Sequence, residues 1–145
     1  MILIGKTIAS IELAKDQKAI KFNLSDGSSI VAKTDGDCCS DSWIESIDNP
    51  EALIGSPVLA VEDISMADLP RDEDCDLTQC YGCKIRTANG EAFMEYRNAS
   101  NGYYGGSLYW PGEEYDYFYG GVFGQNISKE EWYPIAGRVP WRDGL

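Results

Sequence analysis

The sequence predicts an α+β domain, mostly antiparallel β, in which an N-terminal meander and a second hairpin are joined by one or two short helices. Three observations predict it. Apolar residues alternate at period two across residues 7–33. Asn89-Gly90 separates two further runs of strand character. A Ser/Asp-rich stretch ahead of Trp43, Ile44 and Ile47 has the spacing of a capped helix.

Thr7–Leu13 carries Ile8, Ala9, Ile11 and Leu13, and Lys18–Leu24 directs Ile20, Phe22 and Leu24 to one side. The polar link Ala14–Gln17 makes these two an antiparallel hairpin. Asp26-Gly27 is a tight turn into Ser28–Lys33, a third strand holding Ile30 and Val31. Ser40 or Asp41 then caps a helix running to Ile47, closed by Asp48-Asn49-Pro50, with Trp43, Ile44 and Ile47 on one face. Pro50–Leu53 reads as another helical turn, Val58–Glu62 as a strand, and residues 64–76 as an acidic loop containing Pro70. Tyr81–Thr87 and Glu91–Arg97 flank the Ala88-Asn89-Gly90 turn, and Ser107–Trp110 is a short strand. The aromatic and Gly-rich part from about residue 96 ends in a tail read as loops. All 145 residues fit one domain, whose core needs no disulfide staples.

The chain has 12 Lys+Arg, 24 Asp+Glu and no histidine, a formal charge of −12. Without histidine, Ser-His-Asp and Cys-His catalysis and His-ligated metals are excluded. A basic footprint for direct nucleic-acid binding is absent. The longest uncharged run, Asn98–Gly112, is too short and polar to span a membrane, and Met1–Gly5 lacks the parts of a signal peptide. A cytoplasmic protein is expected.

Thirteen of the acids lie between Asp35 and Asp76, against the single base Arg71, so that segment alone accounts for the net charge. Asp72, Glu73, Asp74 and Asp76 are its densest part. Such a run is either a solvated face or a surface for a basic, for instance nucleic-acid-binding, partner. In the second case binding weakens as salt shortens the Debye length, about 8 Å at physiological strength.

Five cysteines are present. Cys75, Cys80 and Cys83, with Cys38 or Cys39 as fourth thiolate, have a spacing that a structural zinc accepts. The competing readings are separate reduced thiols or a redox pair of Cys80 with Cys83. No other cofactor is expected.

Two motifs stand out. In Gly36-Asp37-Cys38-Cys39-Ser40, followed by Trp43, a flexible glycine leads into the expected helix start, where free N–H groups attract anions or are satisfied by Asp37 and Ser40. In Ser100-Asn101-Gly102-Tyr103-Tyr104-Gly105-Gly106, glycines allow close backbone approach beside flat tyrosine faces. Tyr115, Tyr117 and Tyr119 share one side if that run is extended. The candidate binding residues are therefore Asp37, Cys38, Cys39, Ser40, Trp43, Asn101, Tyr103, Tyr104, Gly105 and Gly106, with the acids at 72, 73, 74 and 76.

In these two motifs, preceded by a β-meander, residues 3–110 resemble a family of small bacteriophage and prophage proteins carrying a domain of unknown function. The resemblance implies a phage accessory protein that modulates a host factor, a defence component for example, by occupying its surface. It adds nothing to the zinc reading. The residues leave open two alternatives: a binder of a nucleotide-like anion held between the motifs, and a small enzyme using Asp37, Cys38 or Cys39.

Overall fold

The computed structural model describes residues 1–36, 40–69, 77–100, 106–111 and 131–137. Nine strands run in chain order: β1 Ile8–Ala14, β2 Ala19–Leu24, β3 Ser29–Gly36, β4 Asp41–Asp48, β5 Val58–Ser65, β6 Leu77–Thr87, β7 Gly90–Ser100, β8 Gly106–Tyr109 and β9 Trp132–Gly137. They form two antiparallel sheets, ordered β8-β3-β2-β1-β9 and β4-β7-β6-β5.

The meander is the expected one. Gln17, at φ 63°, turns β1 into β2, and Gly27, at φ 93°, turns β2 into β3. Its inward side chains Ile8, Ile11, Ile20, Phe22, Ile30 and Ala32 meet Ile44, Val58, Ile85, Ala92 and Met94 of the other sheet in a single buried cluster. Alternation dictates that face in β2 and β3, because a strand shows every second residue to one side, while in β1 a register shift between Ile8 and Ser10 brings Ile8 and Ile11 to the same side. The second hairpin is longer than its apolar pattern. Gly90 at φ 139° closes it against Thr87, and pairing continues without a register shift out to Leu77 and Ser100.

The α+β expectation is overturned: the fold is all-β, and its single helical element among the described residues is a 3-10 turn at Pro50–Leu53. The stretch read as a helix through Ile47 is strand β4. A spacing of three residues puts Ile44 and Ile47 on one helix face, but a bulge does the same in a strand. The β4–β7 register shifts between Ile44 and Ser46, pairing Ile44 with Tyr96 and Ile47 with Met94, so that both face the core. Trp43, which a helix would have placed beside them, pairs with Arg97 on the outer face. Open ladder partners on β7 outweighed a weak helix-cap signal.

Strand β9, in the tail read as loops, is the other departure. It is an edge strand, paired among the described residues only with β1, where the missing N–H of Pro134 is tolerated. Gly137, at φ 71°, ends it where a Cβ would lie 2.2 Å from the Ala9 carbonyl oxygen.

Candidate functional site

Topology brings the two motifs together. Gly36 ends β3 and pairs with Gly106, the first residue of β8, while Asp41 opens β4 and pairs with Ala99 near the end of β7. The described ends of the two motifs therefore lie on neighbouring strands, Gly36 beside Gly106 in one sheet and Asp41 beside Ala99 in the other. Close to these strand ends is a buried polar cluster. The Ser42 hydroxyl lies 2.6 Å from Asn98 Oδ1, and Asn98 Nδ2 donates to Gln79 Oε1 at 3.3 Å. Thr34 Oγ1 donates to the Lys18 carbonyl at 3.0 Å and to that of Ser42 at 3.3 Å. Asn98 is fully buried, so each of these bonds matters more than it would in water.

Gly106 has a steric reason to be glycine. A Cβ there would stand 2.6 Å from Asn98 Cβ and 2.7 Å from Ser42 Oγ. Of the other candidate residues, Ser40 is half-buried just before β4, and Trp43 donates its indole N–H to Glu45 Oε1 at 3.3 Å. Asp37, Cys38, Cys39, Asn101, Tyr103, Tyr104, Gly105, Asp72, Glu73, Asp74, Cys75 and Asp76 lie outside the described residues, as do Tyr115, Tyr117 and Tyr119.

Beside Gly106 a cleft of about 500 Å³ opens between β8 and the inward faces of β5 and β6. Register places Val61, Asp63 and Ser65 opposite Ile85, Cys83 and Tyr81. Ile85 and Cys83 belong to the core, so these three β5 residues point between the sheets. Tyr81 and Tyr96 stack at 5.1 Å, and the Gly106 N–H donates to the Tyr81 hydroxyl at 3.3 Å, tying the motif end to the cleft wall. Trp110 closes the inner end, stacked on Phe22 at 5.6 Å. None of these cleft residues was expected to matter except Gly106. Ser65 falls in the expected acidic loop 64–76, and Asp63 between that loop and the expected strand Val58–Glu62, whereas both belong to β5.

Cys80 and Cys83 stand three apart in a regular strand, hence on opposite faces of β6. Cys83 is in the core, whereas Cys80 pairs with Arg97 on the outer face. The two thiols do not converge on one metal, and among the described residues no group of three or more His, Cys, Asp or Glu side chains does. Burial pushes the Cys83 thiol up to about 12, with Asp63 adding to it, and burial also raises Cys80 against the opposing pull of Arg97. Both are poor nucleophiles near neutral pH. At pH 8 they are expected to resist iodoacetamide until the protein unfolds, as pulsed alkylation with mass spectrometry would read; prompt labelling of Cys83 in the folded chain would contradict this. The pH dependence has a definite sign. Cys83 ionises more readily unfolded, from a usual value of 9.0, so its contribution is intact below pH 9 and lost as pH rises toward 12. In Cys83→Ala that part of the alkaline loss of stability should disappear.

The charge that is segregated in sequence is partly neutralised in space. Asp41 pairs with Lys18, Glu45 with Arg97 at 3.1 Å, and Glu62 with Lys84 at 3.8 Å; Arg97 also holds Glu95. The bases come from the β1–β2 turn, β6 and β7, outside the acidic segment. Among the described residues no helix is long and apolar enough to cross a membrane.

A family model described as Domain of unknown function (DUF7448) matches residues 1–110, which takes in β1 to β8 and both motifs and stops short of β9. No curated protein and no solved structure matches the chain.

Proposed function

The chain belongs to that family, and on this premise we propose that it is a binding protein of the phage accessory kind, which occupies a host factor through the end of the sandwich where its two motifs meet. The observation that supports this most is the pairing of Gly36 with Gly106, which sets one end of each motif beside the other, next to the buried Ser42–Asn98 hydrogen bond. Rigid strand ends presenting short connections are a common way to build a recognition surface. The acidic run 72–76 supplies the charge that would steer a basic partner toward it. The catalytic alternative draws on Asp37, Cys38 and Cys39, and the nucleotide-like anion alternative on the tyrosines and glycines of residues 101–105, all of which lie outside the described residues.

Affinity capture with the full chain from host lysate, followed by titration of the recovered protein, tests the proposal. A partner should be held at low salt and released as salt rises. Tyr103→Ala with Tyr104→Ala should weaken it by about tenfold or more. Reversing Asp72, Glu73, Asp74 and Asp76 to Lys should flatten the salt dependence. Recovery of nothing at low salt, or variants that bind like the parent chain, would overturn the reading.

A further inference from the structure

We propose that the cleft between β8 and the β5–β6 face is a binding site for a small organic cation on a flat apolar body, of the arylalkylamine class. Its volume of about 500 Å³ lies within the roughly 300–1,000 Å³ usual for small-molecule sites. Tyr81, Tyr96 and Tyr109 give it aromatic walls, against which a planar ring packs and toward whose faces a cation is drawn. Ser65 and Ser107 add hydroxyls that accept from an ammonium group.

Asp63 sets the preference for a cation. It is the one charged side chain among the described lining residues, which also include Met1 with its terminal amine, and it points between the sheets from edge strand β5. Its neighbours on the outer faces are treated differently: Glu62 is held by Lys84 and Glu45 by Arg97, whereas Asp63 has no ion-pair partner among the described residues. Its charge also reaches the core, where it adds to the effect of burial in raising the Cys83 thiol. A carboxylate beside aromatic walls disfavours anions and favours an amine that can sit between the two. The chain's net charge of −12 further enriches cations near its surface. This site is independent of the host-factor reading, and the tests of the two do not overlap.

Calorimetric titration of the full chain with tryptamine, 3-methylindole and indole-3-acetate tests it, because the three share a ring and differ in charge. Tryptamine should bind about tenfold or more tightly than 3-methylindole, and indole-3-acetate more weakly still. Asp63→Asn, at an exposed position that leaves the fold intact, should abolish the preference, and Asp63→Lys should turn it toward indole-3-acetate. Added salt should narrow the gap between tryptamine and the neutral indole. Absence of saturable binding by tryptamine, or a preference that survives Asp63→Asn, would overturn the proposal.

Discussion

Lys21→Met is expected to destabilise the protein by about 3 kcal/mol, the lower end of what breaking a buried ion pair costs. Its partner Glu12 has no exposed surface, and the two groups stand 3.4 Å apart on the outer face of the first sheet. Asn23 Nδ2 donates to Glu12 Oε2 at 2.9 Å and to the Ser10 hydroxyl at 3.0 Å, and its own Oδ1 accepts from Ser29 at 2.8 Å. The other oxygen, Glu12 Oε1, has no hydrogen-bond partner among the described residues. Among those residues the lysine is thus the only countercharge on a carboxylate already short of one bond, and it also sits 4.6 Å from the centre of the Trp132 ring. One fifth of the Lys21 side chain remains exposed, which is why the smaller figure applies. Urea unfolding should show the loss as a lower midpoint at unchanged slope. Adding Glu12→Met to Lys21→Met should recover most of it, because an apolar pair of similar volume carries no desolvation cost. If the single variant is as stable as the parent, or the double variant is worse than the single, the buried charge is not what the lysine compensates.

Gly106→Ala is expected to cost about 1–3 kcal/mol, the usual range for forcing a methyl into a packed interior. The penalty comes from proximity rather than backbone conformation. The added carbon would meet Asn98 Cβ and Ser42 Oγ at 2.6 and 2.7 Å, and both belong to buried residues on neighbouring strands. Relief requires β8 to lift from the second sheet, which would break the Gly106–Tyr81 hydrogen bond and loosen the Gly36–Gly106 pair. Gly82→Ala provides the contrast. Its Cβ would stand 2.5 Å from Phe93 Cζ, the far end of a half-buried ring that can swing away. Thermal unfolding should therefore show a larger drop for Gly106→Ala than for Gly82→Ala. The reverse order would mean that β8 is not held where the contacts place it.

Much of the strand content was legible because alternation is a local property. Ile20, Phe22 and Leu24 need no knowledge of the rest of the chain to declare one buried face, and Asn89-Gly90 announces its own hairpin. Strand β4 was not legible, since Ile44 and Ile47 fit a helix and a bulged strand equally well. Only the presence of β7 alongside selects between them. Strand β9 lay in a tail read as loops, and its Pro134 fits a strand because that strand lies at a sheet edge. At the site, glycine in both motifs signalled close backbone approach, but Asn98 and Ser42, the groups approached, gave no sign of it. Asp63 and Ser65 were indistinguishable from loop residues until their register opposite Cys83 and Tyr81 was known.

By itself the amino-acid sequence determined the absence of histidine chemistry, the total charge, the meander and the two unusual motifs. Each of these is either composition or a pattern set by neighbours along the chain. Tertiary structure alone decided that Gly36 of one motif pairs with Gly106 of the other, that Cys80 and Cys83 face apart, that acids from residues 41–62 find bases from distant parts of the chain, and that Asp63 looks into a cleft. Those outcomes depend on which strands pair and in what register, and pairing is settled by the sum of contacts across two sheets rather than by the residues within one strand.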